Sequence, residues 1–136
     1  MVEINNKAEY SVDIERLRRT AEKFLQHFQK QDRDISLALV GDEEIRELNR
    51  VYRGLDKPTD VLAFPEEEEE GSLGEIIIDY DQVARQAPKF SQTPEEELVF
   101  ILVHGLLHLL GYSDYTEEDK NNMIQLGRDL IKELDL

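Results

Sequence analysis

Two histidines, His104 and His108, stand four residues apart in a stretch that is otherwise almost all hydrocarbon, Leu98 to Leu110. In a helix that spacing projects both rings from one face. A buried imidazole has two ring nitrogens to satisfy, and two adjacent imidazoles compound the cost. A shared metal ion resolves it: each ring gives one nitrogen to the metal and the other to a supporting acceptor. A pair of core histidines bonded to backbone or carboxylates is the competing reading. Asp114, just past Gly111, supplies a third donor. Two imidazoles and one carboxylate leave a coordination position for water, the arrangement of a catalytic rather than a closed structural zinc site. Such a water ionises near neutral pH and becomes a nucleophile.

The order His-x3-His-x2-Gly-x2-Asp matches the ligand spacing of zinc proteases whose third ligand returns from a turn beyond the helix. In those enzymes the residue after the first histidine is a glutamate that acts as general base. Here it is Gly105. The ligand geometry is kept and the proton acceptor is not, which favours a bond other than the peptide bond. A second segment, Leu48 to Pro65, carries Arg53, Thr59 and Asp60. Gly54, Asp56 and Pro58 mark a loop, and Arg53 is read as lying on it. Its planar guanidinium suits a phosphate oxygen pair, and a surface salt bridge is the alternative. Asp60 is either a turn-forming residue or the acceptor for a ligand histidine.

These side chains need a helix and a turn to hold them. Thr93-Pro94-Glu95-Glu96 is a strong helix start, with Thr93 as N-cap, Pro94 in first position and acids in the first turn. The helix that follows is apolar nearly all round and so belongs at the centre of the molecule, and Gly111 is placed to end it. Strands are expected over Val2 to Asn5, Ile35 to Val40, Asp60 to Phe64 and Leu73 to Ile78. Further helices are expected from Ser11 as N-cap, from Asp42 as N-cap, over Asp79 to Gln86, and from Thr116. Glu66 to Glu70 reads as a solvated acidic loop between two strands.

The stretch His104-Gly105-Leu106-Leu107-His108-Leu109-Leu110-Gly111-Tyr112 resembles the signature of the bacterial YbeY family of rRNA-maturation endoribonucleases. The segment Tyr52-Arg53-Gly54 with Pro58-Thr59-Asp60-Val61-Leu62-Ala63-Phe64-Pro65 is similar to that family's other marked region, and the likeness runs over essentially the whole chain. The resemblance implies an α+β, zincin-like domain over residues 1–136. It would have a small mixed sheet of about four strands, about five helices and the histidine-bearing helix at its centre. It also implies a zinc-type metal site of three histidines and a role for Arg53 in holding an RNA phosphate. The first two histidines fall on His104 and His108. The third falls on Asp114, with Ser113 where the family has aspartate. Asp114 remains a competent oxygen donor, but its charge makes a bound water less acidic and shifts preference toward harder ions.

The expected activity is a metal-dependent, single-strand-specific endoribonuclease acting in rRNA processing. It carries one divalent ion per chain, zinc or another transition metal, and its partners are rRNA and the ribosomal subunit or its proteins. Two other readings stay open: a small metal-dependent peptidase or other hydrolase, and a ribosome-associated binding factor with a structural metal. Composition bounds them all. The 136 residues contain no cysteine, so thiolate chemistry, disulfides and Cys-rich zinc modules are excluded. Net charge is −15, which opposes generic binding to nucleic acid or anionic membrane. Residues 1–60 hold 11 basic against 13 acidic side chains, and residues 61–136 hold 5 against 18. A local basic surface is therefore confined to the first half, with Arg46, Arg50, Arg53 and Lys57 as donors. The acidic second half suits basic ribosomal proteins. No signal peptide and no membrane span are read, so a cytoplasmic, soluble monomer is expected.

Overall fold

The structure is a computed structural model that describes residues 1–66 and 71–136. In chain order the elements are β1 (Val2–Asn6), α1 (Ile14–His27), β2 (Asp34–Val40), α2 (Asp42–Arg53), β3 (Val61–Pro65), β4 (Ser72–Asp79), α3 (Tyr80–Gln86), a 3-10 turn (Ala87–Phe90), α4 (Pro94–Leu109) and α5 (Glu117–Glu133). The sheet order is β1-β2-β4-β3, with β1, β2 and β4 parallel and β3 antiparallel to β4. This is the expected α+β mixed sheet with a central histidine-bearing helix.

Strand periodicity sorts the side chains into two layers. Ile35, Leu37 and Leu39 of β2 and Ile76 and Ile78 of β4 join α1, α4 and α5 in the main core. Ala38, Val40 and Ile77 point the other way and pack with Leu62 against Ile45 and Leu48 of α2. Helix α4 is buried along nearly its whole length, including Leu98, Leu102, Leu106 and Leu107. Among the described residues no helix is long and apolar enough to cross a membrane.

Three local expectations change. Helix α1 is capped by Asp13, whose carboxylate accepts the Arg16 N–H at 3.0 Å, and not by Ser11. Helix α2 is capped by Gly41 in extended conformation, and Asp42 is its first residue, its carboxylate turned to Arg85 instead of to its own helix end. Arg53 is the last residue of α2 and not part of the loop, because Gly54, at φ 70°, takes the left-handed conformation that closes the helix. Of the acidic run Glu66 to Glu70, residues 67–70 lie outside the described residues. The strands it joins, β3 and β4, do pair.

Candidate metal centre

Helix α4 is anchored at its start by a reciprocal capping box. Glu96 donates its backbone N–H to Thr93 Oγ1 at 3.1 Å, and Thr93 donates its own to Glu96 Oε1 at 2.9 Å. Its far end carries the histidines. Gly111, at φ 96°, turns the chain back while its N–H bonds the His108 carbonyl at 3.0 Å. That reversal returns Asp114 toward the rings it follows in sequence.

Three donor atoms converge there. His104 Nε2 and His108 Nε2 are 3.3 Å apart, and Asp114 Oδ2 lies 3.5 Å from the second and 3.9 Å from the first. Donors about 2.0–2.1 Å from a tetrahedral ion stand about 3.3–3.4 Å from one another. The observed separations therefore match that polyhedron closely on the histidine edge and are slightly open toward Asp114. The side chains of His104 and His108 are 16% and 26% exposed and that of Asp114 is 41% exposed, so solvent reaches the group from the carboxylate side. Burial, and then the neighbouring His108, hold the His104 pKa below its usual value, with Asp60 and Asp114 opposing. The ring is thus neutral at physiological pH, the form that coordinates a metal. These residues fit a divalent ion held by two nitrogens and one oxygen.

The second nitrogen of His104, Nδ1, is buried with no hydrogen-bond partner. Asp60 does not receive it. Its Oδ2 accepts from Gln86 Nε2 at 3.1 Å, and Gln86 also donates to buried Glu97 at 3.1 Å. Asp60 therefore acts on His104 through its charge alone.

The donors form one wall of a cleft of about 740 Å³. Arg53 lines the same cleft, as do Thr59, Asp60 and residues of β3. The other basic residues of the segment are engaged differently: Arg46 forms a two-point pair with Asp56, at 2.7 and 3.2 Å, and Arg50 pairs with Glu47. Among the described residues no ion pair holds Arg53. Fully buried Asn49 donates to the Lys57 carbonyl at 2.8 Å and ties the loop after Arg53 to α2. That residue had no sequence signal beyond its place in the segment. Three exposed tyrosines also line the cleft: Tyr52, its ring 5.2 Å from that of Phe64, with Tyr112 and Tyr115 beyond the metal turn. Their gathering at one cleft is likewise invisible without the fold, since an exposed aromatic has no periodicity.

Gly105 faces the β3–β4 pair beside the cleft. A Cβ there would stand 3.1 Å from Ile76 Cγ2 and 3.3 Å from Val61 Cγ2. The position that holds the general base in the proteases is here pressed against the sheet.

The family model for Endoribonuclease YbeY matches residues 3–135. The chain belongs to the YbeY endoribonuclease family. It is 38% identical to the Endoribonuclease YbeY of Sulfurovum sp. over 100% of this chain and 92% of that one. It is 39% identical to that of Nautilia profundicola, over 100% and 93%. A solution structure from Thermotoga maritima superposes with a TM-score of 0.71 at 33% identity, covering 98% of this chain and 89% of that one. The YbeY relatives thus span the sheet, the histidine helix and the segment around Arg53 together.

Proposed function

We propose that this YbeY-family chain is a metal-dependent endoribonuclease that cuts single-stranded RNA during rRNA maturation. His104, His108 and Asp114 hold one divalent ion, zinc being the first choice for two imidazoles and a carboxylate. The observation that carries the reading is the convergence of those three donor atoms in a cleft also lined by Arg53, which no ion pair holds among the described residues.

A bound divalent ion supplies Lewis acidity toward a phosphoryl oxygen and lowers the pKa of a water. The remaining work falls to the chain. Arg53 binds the phosphate through two parallel N–H donors and offsets the charge that grows on its oxygens. It is placed for this by the helix end at Gly54 and by the Asn49 tether. His104, held neutral by its burial, and His108 bring their Nε2 atoms together at the cleft. The exposed tyrosine rings offer faces on which unpaired bases stack, which a duplex cannot use. With Gly105 against the sheet, no side chain stands where a peptidase holds its base, so the peptidase reading loses support. The acidic second half, docking on basic ribosomal proteins, would bring the cleft to ribosomal RNA in the ribosomal subunit in the cytoplasm.

The test is cleavage of a single-stranded RNA oligonucleotide and its duplex by metal-defined protein, with Arg53→Ala and His108→Ala beside the wild type. The expected result is cleavage of the single strand only. The histidine variant loses both activity and metal, and the arginine variant loses activity with metal content unchanged. Wild-type protein that carries a stoichiometric metal yet cuts no RNA would overturn the proposal and leave a binding factor with a structural ion.

A further inference from the structure

Asp79 closes β4 and is fully buried. Its Oδ1 accepts the N–H groups of Asp81 at 3.0 Å and Gln82 at 3.4 Å. Its Oδ2 is equally buried and has no donor. An ionised oxygen sealed from water without a partner is costly, and something must compensate it.

What surrounds that oxygen is more negative charge. The parallel register sets Val40 of β2 beside Asp79, so the β2–α2 and β4–α3 junctions meet. Asp42 opens α2 and Asp81 lies in the first turn of α3. Ligand atoms of Asp42, Asp79 and Asp81 all lie within 4.8 Å of one another. Gly41 permits the approach: a Cβ there would stand 3.3 Å from Asp81 Oδ2 and 3.4 Å from the Tyr10 hydroxyl. That hydroxyl donates to the Val40 carbonyl at 3.2 Å. Burial and the three aspartates raise its pKa, so it adds no charge. The cation at the cluster is Arg85, which grips Asp42 at 2.8 and 2.9 Å. Three carboxylates against one guanidinium leave an excess of two negative charges.

We propose that Asp42, Asp79 and Asp81 form a second cation site, which takes a hard divalent ion such as Ca²⁺ or Mg²⁺. Every donor is a carboxylate oxygen, the preference of those ions and a poor match to softer ones. A divalent ion cancels the excess charge and gives the buried Asp79 Oδ2 its missing partner. Asp42 keeps a route to the ion while bonded to Arg85, because each carboxylate oxygen has two lone pairs. Asp42 and Asp81 are half-buried, so the ion enters from solvent. None of the three residues lines the histidine cleft. Without an ion, burial and Asp42 push Asp79 up to about 7, and a proton shared with Asp42 is the competing occupant. The ion would join the start of α2 to the start of α3. It would therefore steady both the helix that ends at Arg53 and the one whose Gln86 holds Asp60.

The test is calorimetric titration of metal-defined protein with CaCl₂ and MgCl₂, together with its melting temperature. The variants are Asp79→Asn, which keeps an N-capping side chain, Asp81→Asn and His108→Ala. The expected result is one equivalent of Ca²⁺ bound and a higher Tm in the wild type and in His108→Ala. Affinity should fall at least about tenfold in either asparagine variant, as a charged ligand is removed. If Asp79→Asn does not fold, Asp81→Asn decides alone. A wild type with no heat and no rise in Tm up to about 10 mM ion, beyond the range of weak Ca²⁺ modules, would overturn the proposal in favour of the shared proton. So would Ca²⁺ binding that survives Asp81→Asn, or that disappears in His108→Ala.

Discussion

Gly105 and Gly127 are both buried helical glycines, yet alanine should act on them with opposite signs. In a helix interior, replacing glycine by alanine gains about 1 kcal/mol from backbone entropy and propensity. At Gly127 on α5 the new methyl would meet Phe100 at 3.6 Å and Val103 at 3.9 Å, ordinary contact distances. Most of the gain should survive, about 0.5–1 kcal/mol of stabilisation. At Gly105 the methyl would meet Ile76 Cγ2 at 3.1 Å, Val61 Cγ2 at 3.3 Å and Ile76 Cδ1 at 3.4 Å. Ile76 is fully buried, and both residues are β-branched with little rotamer freedom in a strand. Relief therefore requires α4 to back away from the sheet. Overpacking of this kind costs about 1–3 kcal/mol, which leaves a net loss of about 0–2 kcal/mol. In a chain of this size the two variants should differ in Tm by about 2–10 °C, with Gly105→Ala the lower. The assay is denaturant unfolding of both variants with chelator present, so that metal binding does not enter, followed by zinc titration of the folded proteins. Gly105→Ala should also bind zinc more weakly, because the rigid shift of α4 moves both histidines relative to Asp114. If Gly105→Ala is stabilised as much as Gly127→Ala and binds zinc as the wild type does, the close packing of α4 on the sheet does not set the site.

Asp114→Ala should lose metal affinity by at least about tenfold in competition with a chromophoric chelator, while Asp114→His retains zinc and discriminates more strongly against Mg²⁺; equal retention by all three proteins would remove Asp114 from the ligand set. Thr93→Ala should cost about 1 kcal/mol in urea unfolding through loss of the capping box. Glu97 is buried, and its pKa is raised by desolvation above the ordinary 4.5, with Gln86 opposing. As pH rises from that ordinary value through the raised one, the unfolded chain releases a proton that the folded chain keeps, so stability falls. Glu97→Gln should flatten that fall in urea midpoints measured across the window, and an unchanged slope would show that the Glu97 carboxyl is not its source.

The features that could be read in advance are those whose cause is local. Thr93, Pro94 and Glu96 announce the start of α4 because capping depends on residues within one turn. The 104/108 spacing announces the meeting of the two rings because helix geometry alone aligns them. Where two local signals compete, the reading slips. Ser11 and Asp13 are both good caps, and the choice falls to Asp13. Gly54 signals a loop and a helix end equally well, which is how Arg53 is displaced from its true place at the end of α2. The order β1-β2-β4-β3 is not local at all, because parallel pairing rewards contacts between distant segments. Everything that depends on it was therefore hidden. That includes the tyrosines around the cleft and the meeting of Asp42 with Asp79. From sequence, Asp79 is only the start of a short helix. Its burial without a donor follows from the register of β4 against β2.

One geometric fact links the two halves of the histidine motif. A residue and its immediate successor in a helix point about 100° apart. If His104 faces the cleft, Gly105 must face either solvent or another layer, and in α4 that layer is the β3–β4 hairpin. A Cβ there would make Ile76 and Val61 give by a few tenths of an ångström, so packing disfavours the acid of the peptidase pattern at this position. The same close approach brings β3 against α4, and with β3 comes the wall of the cleft on which Thr59, Asp60 and the Arg53 loop depend. The glycine that leaves out the peptidase acid thus also lets α4 lie close against the strands that line the cleft. In this chain a peptidase-type glutamate and the close packing of α4 on β3 and β4 compete for the same space.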